Sequence, residues 1–187
     1  MLRTVLYAIV FFCFVFAAKA QTQQAEVPDS SKFELSFGRT QLFISDSKSA
    51  SIKSVISTAI PTNALLLFLE LRPAKKLRIP VFVNIPTEPK QYLVNNQLKS
   101  ELASPSFGAG VQYRCFNLKI DKRSRLEGEL GPMLSAIPSG SKQILIAPFA
   151  AGRLRLVRSN SFVMYLGSSY TFGINVFGLL YGTGFLF

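Results

Sequence analysis

The sequence predicts an all-β chain, an antiparallel up-and-down transmembrane β-barrel of about eight strands. Three observations carry that expectation. In the stretch from Asn175 to Phe187, Phe177, Leu179, Tyr181, Thr183, Phe185 and Phe187 share one parity, and Val176, Gly178, Leu180, Gly182, Gly184 and Leu186 share the other. In water such an uncharged strand exposes a greasy face and an open edge; in a bilayer its aromatic groups face lipid and its small groups face a crowded interior. Secondly, 49% of the residues are hydrophobic, yet beyond the N-terminal segment no run approaches the ~20 apolar residues of a helical span. Thirdly, the connectors between alternating segments vary between long and short along the chain, the rhythm of external loops and periplasmic turns.

The elements follow in order. Residues 1–20 read as a cleaved signal peptide: Arg3 is a basic start, Val5 to Ala18 an apolar run, and Ala18-Lys19-Ala20 a small-x-small cleavage site. Residues 21–31 are a polar lead-in, and 32–187 the barrel. Lys32 to Ile44 is the first strand, with Phe33, Leu35 and Phe37 on one face and Glu34, Ser36, Gly38 and Thr40 on the other. Asp46 to Asn63 is a Ser-rich loop in which Ile52, Val55, Ile56, Ala59 and Ile60 fall at helical spacing, with a strand as the competing assignment. Ala64 to Arg72 and Lys76 to Ile85 form a hairpin. If its turn centres on Ala74, Glu70 sits opposite Arg78 on the inward face. Pro80 interrupts its ladder. Pro86 to Pro105 is a second long polar loop.

Ser106 to Ile120 is the fourth strand, and its apolar parity switches from Phe107, Ala109, Val111, Tyr113 and Cys115 to Phe116, Leu118 and Ile120, which predicts a bulge. Asp121 to Arg125 is a basic turn. Leu126 to Ala136 points Leu126, Leu130 and Leu134 outward and Glu127 and Glu129 inward. After a Pro/Gly loop at Ile137 to Lys142, Gln143 to Val157 points Ile144, Ile146, Leu154 and Leu156 outward and Arg153 and Arg155 inward. Arg158-Ser159-Asn160 is a tight turn, Phe162 to Phe172 the seventh strand, and a turn near Gly173 to Asn175 leads into the last.

The chain stops on Phe187 after apolar or aromatic residues at alternate positions. That ending resembles the closing strand of bacterial outer-membrane β-barrels, where a terminal Phe belongs to the signal read by the barrel-assembly machinery. Residues 32–187 resemble, in architecture, the OmpA-like or OmpX-like small outer-membrane barrels. The resemblance implies a Gram-negative outer-membrane location and a C-terminal assembly signal at Leu179, Tyr181, Phe185 and Phe187.

Net charge and residue inventory bound the function. Loss of the signal peptide removes Arg3 and Lys19 and lowers the formal charge of +11 by two, leaving a basic chain. Export argues against nucleic acid, so the expected partners are outer-membrane lipid with its anionic head groups, and an extracellular partner met by loops 46–63 and 86–105. Solubilising lysines are the competing account of the charge. A monomer is expected, with no cofactor. Cys115 is the one cysteine left, which rules out an intramolecular disulfide. The chain has no histidine, so Ser-His-Asp, Cys-His and histidine-metal sites cannot be built. The remaining polar constellation is Glu70, Arg78, Glu127, Glu129, Arg153 and Arg155, all of inward parity. It reads as an interior ionic plug, because inward charges in a side-chain-filled barrel must be paired. Gly108, Gly110, Gly182 and Gly184 give neighbouring interior side chains room. The expected function is a non-enzymatic outer-membrane protein with an envelope-structural or loop-mediated binding role. The competing readings are a soluble secreted β-barrel or sandwich, and a lipid- or glycan-modifying enzyme using the paired carboxylates.

Overall fold

The computed structural model describes residues 31–44, 61–94, 97–138, 144–173 and 176–187. The expected signal peptide, nearly all of the lead-in and the segment with helical spacing at 52–60 lie outside them. The strands are β1 (Phe33–Ile44), β2 (Pro61–Leu71), β3 (Leu77–Pro86), β4 (Lys90–Val94), β5 (Gln97–Glu101), β6 (Ser106–Gly110), β7 (Gln112–Lys119), β8 (Ser124–Pro138), β9 (Ile144–Arg158), β10 (Phe162–Thr171) and β11 (Val176–Leu186). Each barrel strand pairs antiparallel with its neighbours, and β11 returns to pair with β1, closing the cylinder. Strands β6 and β7 are two halves of one stave, each lying between β3 and β8, so the barrel has eight staves.

Pairing around the cylinder fixes its dimensions. From Glu34 the perpendicular runs through Glu70, Pro80, Gly110, Met133, Phe149, Thr171 and Val176 to Ile44, a stagger of ten residues, 34 to 44. With ~3.3 Å per residue and ~4.8 Å between strands, this gives a tilt of about 40° and a backbone radius of about 8 Å. Such a cylinder is filled by its own side chains.

Period-two alternation sorts residues between lumen and outer wall. On β2, Thr62, Ala64, Leu66, Phe68 and Glu70 are buried, while Leu65, Leu67, Leu69 and Leu71 are exposed. The lumen is layered. Val157, Val163 and Leu186 close it at the end with the short turns. Next come the charged residues. Above them Leu66, Phe68, Phe82, Met133, Ala151, Tyr165 and Leu180 pack together, with Phe149 against them. Toward the loops the lining is polar, with Thr40 Oγ1 donating to Asn84 Oδ1 at 2.7 Å.

The expected eight-strand, all-β barrel is what the structure shows, with three local differences. The β2–β3 hairpin sets Glu70 opposite Pro80, not Arg78. The two-residue slip preserves parity, and Arg78 curls back to donate to the carbonyls of Ala74 at 3.0 Å and Leu77 at 3.1 Å, filling the wider turn. Pro86 to Pro105 is not a plain loop, since β4 and β5 form a separate hairpin within it. Its base is tied to the barrel by Thr87 N–H donating to Asn63 O at 2.9 Å and Asn63 Nδ2 donating to Glu88 at 2.9 Å. Asn63 thus belongs to β2, which starts at Pro61.

The break at Val111, between β6 and β7, is the third. It lies near Pro80 of β3 on one side and Pro132 of β8 on the other. Neither proline has an N–H to donate, so the ladder lapses there, and Val111 N–H reaches Pro132 O at 3.0 Å. The bulge foreseen from the parity switch falls at Cys115, between Arg114 and Phe116. The tight turn before β10 holds Ser159 and Asn160 at φ 52° and 55°, the paired positive-φ geometry of a hairpin turn whose twist matches its strands.

Candidate functional site

Inward parity on six staves brings ten charged side chains into one layer near the turn end. Arg155 is its hub. Its guanidinium donates from Nη1 to Glu129 Oε1 at 2.6 Å and Glu127 Oε2 at 2.9 Å, and from Nη2 to Glu34 Oε2. Arg153 Nε donates to Glu129 Oε2 at 2.7 Å, and its Nη2 pairs with Glu70 Oε2. Arg78 Nε lies 3.4 Å from Glu129 and 3.6 Å from Glu70. Arg72 bridges Glu34 at 3.1 Å and Glu70 at 3.2 Å. Arg125 and Arg114 reach Glu127 Oε1 at 2.8 Å and 3.1 Å. Ser36 Oγ donates to Glu34 at 2.5 Å.

All six residues read from the sequence therefore meet in one network. Glu127 and Glu129 face Arg155 and Arg153 directly across the β8–β9 ladder. The network also holds four residues that were not foreseen as members: Glu34, Arg72, Arg114 and Arg125. Glu34 shares the parity of Ser36 and Thr40, which was visible. Arg125 was placed in a turn and Arg72 where strand meets turn; β8 already begins at Ser124, and Arg72, one residue past β2, is still held by its N–H donating to Lys32 O at 2.8 Å.

Each of the four glutamates touches two to four guanidiniums, which is what lets four carboxylates lose water together. The Arg153 guanidinium also lies 5.4 Å from the Phe68 ring centre, joining the charged layer to the aromatic one above it. Where the aromatic layer crosses β1 and β11, Gly38 and Gly182 leave space for Tyr165. A Cβ on either would come within 2.5 or 2.6 Å of its hydroxyl.

The outer wall is apolar between two aromatic girdles. At the turn end Phe33 stacks on Phe187 at 5.3 Å and Phe162 meets Phe185 edge-on at 5.7 Å. At the loop end Phe43 and Phe177 are 6.0 Å apart, and Tyr170 and Phe172 5.5 Å. The proposed assembly-signal residues Leu179, Tyr181, Phe185 and Phe187 all point outward and are exposed. Cys115 is exposed at its bulge, its Sγ 3.5 Å from Tyr113 O.

Beyond the turn-end girdle, Lys32, Lys75, Lys76, Lys119, Lys122, Arg123 and Arg158 are exposed, with Asp121 as the sole exposed acid among the described residues there. Asp121 is itself engaged, accepting the backbone N–H groups of Arg123 at 2.6 Å and Ser124 at 2.7 Å. The Arg123 hydrogen bond leads in lowering its pKa below the usual carboxylate value. Backbone bonds tie the turns into a rim, Ser159 N–H to Arg123 O at 2.7 Å and Arg114 N–H to Lys76 O at 2.8 Å. Among the described residues no group of three His, Cys, Asp or Glu side chains is placed to hold a metal ion.

A closed eight-stave antiparallel barrel with an apolar outer wall, aromatic girdles and a packed lumen is the fold of the small outer-membrane β-barrels. A solved structure agrees. The N-terminal β-barrel domain of Pseudomonas aeruginosa OprF matches with a TM-score of 0.50 and 12% identity, over 84% of this chain and 97% of that one. Neisserial surface protein A matches with a TM-score of 0.47 and 10% identity, over 83% of this chain and 97% of that one. The attachment invasion locus protein Ail of Yersinia pestis, in complex with sucrose octasulfate, matches with a TM-score of 0.44 and 13% identity, over 84% and 97%. At these identities the likeness is one of fold. No protein-family model matches the chain, and no curated protein matches it.

Proposed function

We propose that the chain is an integral protein of the bacterial outer membrane, without catalytic activity, that serves the envelope structurally or presents its loops to an extracellular partner. The observation that carries this reading is the inversion of polarity. The ion pairs are inside the cylinder, and Leu65, Leu67, Leu69, Leu71, Val81, Val83, Leu154 and Leu166 are exposed outside it. A soluble barrel would leave that wall facing water.

The carboxylate-enzyme alternative is disfavoured by the same lattice. Glu127 and Glu129 have their oxygens directed at guanidinium nitrogens, whereas glycosidase carboxylates face a cleft that admits sugar. The surface left for recognition is the β4–β5 hairpin within 86–105, at the loop end; the expected loop 46–63 lies, up to residue 60, outside the described residues. The basic rim at the opposite end suits the anionic head groups of the lipid leaflet beside it, each cation near such a surface contributing about 1 kcal/mol. The outward aromatic residues of β11 support recognition by the barrel-assembly machinery. No cofactor and no nucleic acid enters this reading, and the barrel acts as a monomer.

The test is fractionation of expressing cells, with boiled and unboiled gel lanes. Retention in the membrane pellet after carbonate washing, and faster migration of the unboiled form, are expected. A mature chain that stays monodisperse in buffer without surfactant refutes the proposal.

A further inference from the structure

Three turns that follow one another around the barrel carry an arc of exposed cations. Lys76 lies on the β2–β3 turn, Lys119, Lys122 and Arg123 at the β7–β8 turn, and Arg158 at the β9–β10 turn. Backbone bonds tie the strands and turns of the arc together: Arg114 N–H donates to Lys76 O at 2.8 Å, and Ser159 N–H to Arg123 O at 2.7 Å. The arc begins at the depth of the aromatic girdle. Arg158 is the register partner of Phe162, and the Lys76 ammonium lies 5.9 Å from the ring centre of Tyr113, an exposed outward residue of the wall. Farther out, the β7–β8 turn presents Ile120, 60% exposed, with Lys119 before it and Lys122 after. Among the described residues the side chains of Lys119, Lys122 and Arg123 make no ion pair. Asp121, the one acid in the arc, already accepts the N–H groups of Arg123 and Ser124. On the opposite side of the rim, at β1 and β11, Lys32 is the only exposed cation among the described residues.

The arrangement identifies its counterpart by chemistry. An ammonium drawn against an outward tyrosine stands at the junction of acyl chains and head groups, where long cationic side chains settle. Along the barrel axis the order is apolar wall, aromatic girdle, then cations. A phospholipid presents the matching order, acyl chain, then ester, then phosphate, whereas a soluble acidic partner matches only the last. The exposed Ile120 amid the cations fits the same layer, since an apolar group there can turn toward the acyl region. Resting on the membrane-barrel reading above, we infer that this arc selects anionic phospholipids of the turn-side leaflet from the zwitterionic ones around them. Lys76 and Arg158 meet phosphates at the girdle, and Lys119, Lys122 and Arg123 meet the outer part of the same head groups. The selected lipids gather along the three turns and not at the β1–β11 seam, where the cations give out.

The test folds the full mature chain into phosphatidylcholine vesicles carrying a trace of spin-labelled phosphatidylglycerol or of spin-labelled phosphatidylcholine, and compares how much of each is immobilised on the barrel. Wild type immobilises phosphatidylglycerol preferentially at low salt, and sodium chloride at about 1 M, where the screening length is ~3 Å, abolishes the preference. Lys76→Gln combined with Lys122→Gln and Arg123→Gln lowers it by about fivefold or more, since each cation near an anionic surface counts for about that much. Lys90→Gln with Lys99→Gln, on the β4–β5 hairpin at the other end, leaves it unchanged. Equal preference in wild type and the rim variant, or an equal loss in the hairpin variant, overturns the assignment. So does release of the labelled lipid by inorganic phosphate beyond that caused by sodium chloride at the same ionic strength, which makes the arc a site for a free anion. A chain that does not fold into vesicles at all instead overturns the membrane reading beneath it.

Discussion

Replacing Arg155 by methionine tests the interior most directly. The change keeps an unbranched side chain of similar reach but removes the hub that contacts Glu34, Glu127 at 2.9 Å and Glu129 at 2.6 Å. Removing one member of a buried ion pair costs about 3–5 kcal/mol, because the partner is left charged and dry. Each stranded glutamate here keeps at least one other arginine: Arg72 for Glu34, Arg125 and Arg114 for Glu127, Arg153 for Glu129. The loss should therefore fall near the lower end, about 3 kcal/mol, or roughly a hundredfold in the unfolding constant. The control is Arg114→Met. Arg114 also contacts Glu127, but its side chain is 11% exposed against 0% for Arg155, and Glu127 keeps both Arg125 and Arg155 without it, so its loss should be the smaller. Urea titration of both variants in lipid vesicles, followed by the gel shift between folded and unfolded forms, reads the difference. Equal losses for the two would mean that water reaches the layer and screens it throughout, and the sealed-lumen account would be wrong.

Three further outcomes are expected. Gly182→Val should cost about 1–3 kcal/mol through overpacking, since a Cβ there meets Gly38 Cα at 2.6 Å, Tyr165 Oη at 2.6 Å and the Phe37 carbonyl. Vesicle unfolding that matches wild type would show that β1 and β11 are not so closely apposed. Asp121 has a lowered pKa in the folded state, so the stability it lends is present above its unfolded pKa of about 3.9 and is lost as pH falls through the folded value. Asp121→Asn should therefore flatten the acid limb of the stability profile and leave the neutral region little changed; a limb identical to wild type refutes the turn's role. Phe187→Ala removes the ring that stacks on Phe33 at 5.3 Å and should slow assembly in cells more than it lowers the stability of barrels already folded. Pulse-labelling with the gel-shift assay separates the two effects.

Strand identity was legible because the wall and the lumen impose period two on every stave, and Leu65, Leu67, Leu69 and Leu71 announce it without ambiguity. The bulge was legible for the same reason, as a slip of that period at Cys115. Turn register was not. A shift of two residues in the β2–β3 hairpin leaves parity untouched, so no hydrophobic pattern separates Glu70 facing Arg78 from Glu70 facing Pro80; the conformation of Arg72 to Lys76 decides. The β4–β5 hairpin was missed because it forms its own two-stranded sheet outside the barrel ladder, where neither lipid nor lumen imposes alternation. Two of the four unforeseen members of the charged layer, Arg72 and Arg125, were likewise hidden because they look like turn solubilisers. Arg72 and Arg125 point inward only because β2 and β8 are anchored by pairings that parity cannot count.

The position of the charged layer bears on what the barrel can do. Four glutamates and six arginines occupy the third of the cylinder nearest the turns, and aromatic and aliphatic side chains fill the lumen above them. An ion moving along the axis would have to displace Phe68, Phe82 and Tyr165, whose rings meet at 6.1 Å, and then part Arg155 from its glutamates. Those two obstacles differ in kind, one steric and one electrostatic, so a single substitution should not open a path: shortening an aromatic ring leaves the ion pairs, and neutralising a charge leaves the rings. With β1–β11 pairing continuous from Glu34 to Ile44, the closing seam offers no opening. The chemistry available to the protein therefore lies on its surfaces, at the loop end and at the basic rim, and the interior serves to hold those surfaces at fixed depths in the bilayer.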